Sequence, residues 1–178
     1  MSQKILVVVA HPDLQKSRVN RAWVEHLRRH PERITVHDLY RAYPDGKIDV
    51  AAEQKLLEAH DRIIFQFPFF WFSTPPLLKQ WLDEVFTYGW VYGPGGDKLE
   101  GKEIGLAIST GGKAEAYQAG AQNQFTISEL TRPLQATVHF VRAKFLPIFV
   151  LQGALYQPSD SEVEANAGAY VRHVLGEA

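Results

Sequence analysis

Residues 7–20 read VVVAHPDLQKSRVN. A valine-rich run stops at Ala10-His11-Pro12, and by Ser17-Arg18-Val19-Asn20 the pattern has become helical. A strand that turns into a helix brings unpaired N–H groups and a positive dipole end to one point, which suits a phosphate. Ser17 is placed to cap such a helix, and Arg18 adds a positive charge. Yet the loop holds no glycine. The GxGxxG turn of dinucleotide-binding sheets and the GxxxxGK[ST] loop of nucleotide triphosphatases are both missing, which disfavours those two classes.

Outward from this turn, residues 4–10 are β-branched and apolar on both faces, the mark of a strand buried from both sides. Val19, Trp23 and Leu27 recur every fourth residue, with Asn20, Arg21, Glu25, Arg28 and Arg29 on the other face of an amphipathic helix. Further strands are expected over 33–39, 62–67, 103–109 and 145–151. Pro147 assigns the last of these to an edge, because proline cannot donate to a central ladder. A helix over 51–59 follows the Tyr43-Pro44-Asp45-Gly46 turn. Pro75 and Pro76 open a second, whose stripe is Leu77, Leu78, Trp81, Leu82, Val85 and Phe86. Val163, Ala167, Tyr170, Val171, Val174 and Leu175 mark a closing helix. Strands alternating with helices predict an α/β fold: a doubly wound, five-stranded parallel sheet with helices on both faces. The size fits the flavodoxin-like order 2-1-3-4-5.

Composition narrows the classes. The 178 residues are 46% hydrophobic, enough to bury a core, and carry a net charge of −1, so no nucleic-acid footprint is expected. There are no cysteines, which removes disulfides, thiolate metal sites and thiol catalysis. No repeat, linker or low-complexity segment interrupts the chain, so one domain over 1–178 is expected. The N-terminal apolar run is too short for a signal peptide or membrane span, and the expected location is cytoplasmic.

In a sheet of this order, ligands bind beyond the carboxyl ends of the strands where the order reverses. Three loops meet there. The first runs from His11 to Asn20. The second, FPFFWFSTPP, carries Phe69, Phe70, Trp71 and Phe72 directly after a buried strand. A surface loop this aromatic suits the wall of a pocket for a flat ligand, although some of these rings could be ordinary core. The third, Ser109-Thr110-Gly111-Gly112-Lys113, offers hydroxyls and glycines that permit close approach and positive φ. A helix-end anion seat, a planar apolar wall and a glycine loop together describe a site for flavin mononucleotide (FMN), with FAD as the alternative.

The stretches AHPDLQKSRVN, DLYRAYPDGKIDVAAEQ, FPFFWFSTPPLLKQWLDEVFTYGWVYGPGGDKLEGK and STGG resemble the flavodoxin-like NAD(P)H:quinone oxidoreductases. Within that family they look most like the small bacterial ancillary subunits of glutathione-regulated potassium-efflux systems. The resemblance implies a homodimeric, FMN-binding enzyme. NADPH or NADH would be the reductant and a quinone, or another small electrophile, the acceptor, with hydride transferred by a ping-pong mechanism. It implies a flavin site at His11, Ser17, Arg18, Val19, Asn20, Phe69, Phe70, Trp71, Phe72, Ser109, Thr110, Gly111 and Gly112. A tyrosine and a histidine that stabilise the reduced ring in mammalian members map onto Tyr117 and onto Gln122 or Asn123, so the histidine is absent here. Tyr88, Trp90 and Tyr92 fall on a segment that reaches towards the partner subunit's pocket. A second implied role is activation of a membrane potassium-efflux transporter, which would place the protein peripherally at the inner membrane. Turnover without any membrane protein separates the two roles.

Two other patterns carry less. His26 and His30 share a helix face but lack a third metal ligand, so no metal is expected. Ser17, His11 and Asp13 could form a triad on paper, but no GxSxG elbow accompanies them.

Overall fold

The computed structural model describes residues 3–177. The strands are β1 (Ile5–Val9), β2 (Ile34–Asp38), β3 (Arg62–Pro68), β4 (Glu103–Ser109), β5 (Lys144–Phe145) and β6 (Phe149–Leu151). The sheet runs β2-β1-β3-β4-β5, the order expected, with all pairings parallel. Every residue of β1 and β3 is buried, which is why β1 reads as a continuous apolar run and β3 is apolar from Ile63 to Phe67 except at Gln66.

The helices are α1 (Arg18–Leu27), α2 (Leu39–Ala42), α3 (Val50–Glu58), α4 (Pro76–Val85), α5 (Ile127–Leu130), α6 (Arg132–Phe140) and α7 (Asp160–Leu175). They cover both faces. Ile5, Val7 and Val9 of β1 pack with α1 and α7, while Leu6 and Val8 pack with α3, α4 and α6. That split follows from the two-residue period of the strand.

The structure departs from expectation at the edge. The single strand expected over 145–151 is two short strands, both paired to β4. Pro147 lies in the break, where a missing N–H would otherwise leave a gap in the ladder. Helix α6 was not anticipated; Pro133 stands in its first turn and β-branched Thr137 and Val138 blur its pattern. No described helix is long and apolar enough to cross a membrane.

Candidate functional site

Three backbone hydrogen bonds join the strand ends in series. Ala10 N–H donates to Gln66 O (2.8 Å), Phe69 N–H to Ser109 O (2.9 Å) and Thr110 N–H to Leu151 O (2.9 Å). The loops that leave these strands therefore start from fixed points.

In the first loop, Ser17 Oγ accepts the Asn20 N–H at 3.1 Å, an N-cap as the sequence suggested. The Arg18 and Val19 amides, in the first turn of α1, find no acceptor among the described residues. Two free N–H groups beside the positive end of a helix dipole are the features an anion requires. Asn20 plays another part. It is buried, and its Nδ2 donates to Ser109 Oγ (2.9 Å), while Gln66 Nε2 reaches its carbonyl (3.2 Å) and Oδ1 (3.3 Å). The side chains of Asn20, Gln66 and Ser109 thus clamp the first and third loops from beneath. Val19 likewise sends its side chain into the core and offers only backbone to the site. Arg18 pairs with Asp160 of α7 at 2.6 Å. His11 accepts the Asp13 N–H on Nδ1 (3.1 Å), which leaves its proton on Nε2. Burial pushes the His11 pKa down against the pull of Asp13 and Asp38, so the ring is neutral at pH 7.

The second loop is a tight turn closed by Ser73 N–H to Phe70 O at 2.9 Å. Its central residues, Trp71 and Phe72, have φ of 47° and 62°. Two positive φ values with this bond make the type I′ pattern, normally the province of asparagine and glycine. Bulky aromatics in the left-handed region are strained, and such strain concentrates at functional sites. Trp71 is also 93% exposed.

In the third loop Thr110 Oγ1 donates to Gly112 O at 2.8 Å. Neither Gly111 nor Gly112 takes a positive φ, contrary to expectation. Their lack of a side chain serves close packing instead: a Cβ on Gly111 would lie 2.7 Å from Leu155, and one on Gly112 3.3 Å from the Tyr117 ring.

Two adjoining cavities result. One, of about 600 Å³, is lined by His11, Ser17 to Asn20, Phe69 to Trp71 and Ser109 to Gly111. The other, of about 720 Å³, is lined by Phe69, Trp71, Phe72, Gly111, Gly112, Tyr117, Gln122 and Asn123. Trp71 stands on the divide between them. Every residue singled out as cofactor-binding or catalytic lines one cavity or the other, and both volumes suit a small-molecule site.

A family described as flavodoxin-like fold matches residues 3–174. The chain belongs to that family. The chain is 53% identical over 171 residues to an uncharacterised NAD(P)H oxidoreductase, YdeQ, of Bacillus subtilis (strain 168), covering 96% of this chain and 86% of the relative. Among solved structures, general stress protein 14 of Treponema denticola, in complex with FMN, is 44% identical with a TM-score of 0.94, covering 98% of this chain and 99% of that one. An NADPH-quinone reductase of P. pentosaceus is 37% identical with a TM-score of 0.87, covering 96% and 97%.

On this flavodoxin-like frame, sequence reading missed a fourth loop, which follows β6. A 3-10 turn over Ala154–Tyr156 brings Leu155 and Tyr156 to the cavities. Its signal is Gly153, at φ 84°, just beyond the strand. Gln66 was missed too, since nothing local marks a polar residue inside a strand as a clamp. Tyr88, Trp90 and Tyr92 line neither cavity of their own chain. Trp90 Nε1 donates to Glu58 (2.7 Å), and Tyr92 lines a separate apolar groove behind Phe72. His26, set aside as a metal ligand, pairs with Glu164 of α7 at 2.8 Å.

Proposed function

We propose that the protein is an FMN-dependent NAD(P)H:quinone oxidoreductase. The observation that carries this is the pair of adjoining cavities: one ends on two free amides at a helix N-terminus, the other is walled by Trp71, Phe72 and Tyr117. Relatives that carry NAD(P)H oxidoreductase and NADPH-quinone reductase names, and one solved with FMN, support the same reading.

The donor set fits a flavin mononucleotide. The Arg18 and Val19 amides would hold its phosphate, and the Phe69–Phe72 and Gly111–Gly112 walls its ring. When bound, the flavin supplies the two-electron chemistry. The protein's own part is to bind, orient and dry the site. Trp71 and Phe72 exclude water from the ring plane, and neutral His11 adds an Nε2–H donor without a charge. Tyr117 supplies an O–H towards the second cavity, and Gln122 and Asn123 add amide donors where a histidine would otherwise stand. These groups stabilise negative charge through hydrogen bonds and relay no proton through an imidazole. Reductant and quinone would occupy the same cavity in turn, which makes the kinetics ping-pong.

We read the assembly as a homodimer. Tyr88 is 67% and Phe140 65% exposed, and both rings pack against Tyr92, Tyr88 edge-to-face and Phe140 tilted, with centroids 5.6 and 5.5 Å apart. This aromatic lip borders the apolar groove lined by Leu82, Phe86, Val91 and Leu134, a surface that suits an interface.

The test is a visible spectrum of the protein loaded with FMN and desalted, then given NADPH, then menadione. A retained flavin band that bleaches and returns is expected, with parallel reciprocal plots in steady state. Failure to retain flavin would overturn the reading. Turnover without any membrane protein separates it from a transporter-activating role.

A further inference from the structure

Three cations line the two cavities, and they are not equivalent. Lys16 is held by Asp13 at 2.7 Å and Arg18 by Asp160 at 2.6 Å, both beside the helix-end seat. Lys113 lines the other cavity. It has no carboxylate within ion-pair distance among the described residues; its Nζ lies over the Tyr156 ring, 4.5 Å from the centroid. A ring face orients an ammonium without neutralising it, so the full charge remains available to an anion.

The backbone beneath Lys113 is fixed. The carbonyl of Gly112, the residue before it, accepts from Gly153 N–H at 2.7 Å and from Thr110 Oγ1 at 2.8 Å. The loop carrying Tyr156 packs against the lysine stem, with a Cβ at Gly153 falling 3.6 Å from Lys113 Cγ. Two anion-attracting features therefore serve two cavities: helix amides in the first, an aromatic-seated lysine in the second.

We propose that Lys113, seated on Tyr156, anchors the phosphates of the nicotinamide coenzyme, apart from the place where the flavin phosphate is held. This rests on the flavin-dependent reading above. Lysine suits the role as a point charge for phosphate. Glu115 lines the same cavity and opposes it, so the coenzyme senses both charges.

The experiment uses the FMN-loaded protein and a non-reducing tetrahydro analogue of NADPH, titrated calorimetrically. Lys113→Ala is expected to weaken its binding about ten-fold or more, the scale of one charge-assisted contact. Lys113→Arg should retain affinity, and Glu115→Gln should increase it. Raising the salt concentration should weaken binding in the wild type and do so less in Lys113→Ala. In stopped flow, 1-benzyl-1,4-dihydronicotinamide, a hydride donor without phosphate, should lose far less than NADPH in the same variant. An unchanged analogue affinity in Lys113→Ala would overturn the proposal. So would an equal loss for the benzyl donor, which would mean damage to the ring cavity, or an equal loss of FMN, which would put Lys113 on the cofactor phosphate. If no dihydronicotinamide reduces the wild-type flavin, the underlying reading fails instead.

Discussion

Trp71 holds a left-handed backbone with its indole in solvent, a combination that works against folding by about 1–3 kcal/mol and makes sense only if the indole has a task. Trp71→Gly should therefore leave the thermal midpoint of the flavin-free protein at or above that of the wild type, while FMN affinity measured by fluorescence titration falls. A drop in both would make the indole a structural element. Tyr117→Phe removes one donor and keeps the ring beside Gly112; quinone turnover should fall about ten-fold or more with FMN still bound. An unchanged rate would assign the hydroxyl to structure. At this scale the sequence announced the residues but not their conformations. Four successive aromatics mark a wall, yet nothing in them says left-handed turn, because that backbone normally selects glycine or asparagine.

Helix α1 illustrates what elements contribute. Its cap is local, spanning Ser17 to Asn20, and so could be read directly from the sequence. Ser17→Ala should cost about 1 kcal/mol in urea unfolding, and Ser17→Gly only a few tenths. The Glu53 hub is the opposite case. Its buried carboxylate accepts from His37 of β2 (2.9 Å), from Tyr43 (2.6 Å) and from Trp81 of α4 (2.8 Å). Burial would raise its pKa, but these donors together outweigh it and hold the group below the usual 4.5. A depressed folded-state value means the stabilisation is present above the unfolded-state pKa and fades as pH falls through the folded one. The stability gap between wild type and Glu53→Gln, followed by urea unfolding, should accordingly be wider above about pH 4.5 than below it. No spacing rule joins His37, Tyr43, Glu53 and Trp81, so this hub, like the Asn20–Gln66–Ser109 clamp, was not legible. Sequence periodicity reports which face of an element is buried, not which polar groups meet beneath it.

For the whole molecule, strand order and the convergence of loops were legible because buried parallel strands and crossover helices leave few alternatives. The fourth loop was not, since it follows an edge strand that the sequence presented as one piece. The aromatic lip of Tyr88, Tyr92 and Phe140 gives the assembly its own test. Tyr88→Arg should shift the protein from dimer to monomer in sedimentation velocity, with little change in far-ultraviolet circular dichroism. A wild-type monomer at micromolar concentration would remove the homodimer from the account.

The serial joining of Ala10 to Gln66, Phe69 to Ser109 and Thr110 to Leu151 has a calorimetric consequence. A binding floor assembled before its ligand arrives has little left to fold. The heat-capacity change on FMN uptake should then match the apolar surface covered on ligand and walls alone, without the excess that coupled folding adds. Amide exchange in these strand ends should be slow with or without cofactor, while the Trp71 turn and the Arg18 and Val19 amides gain protection.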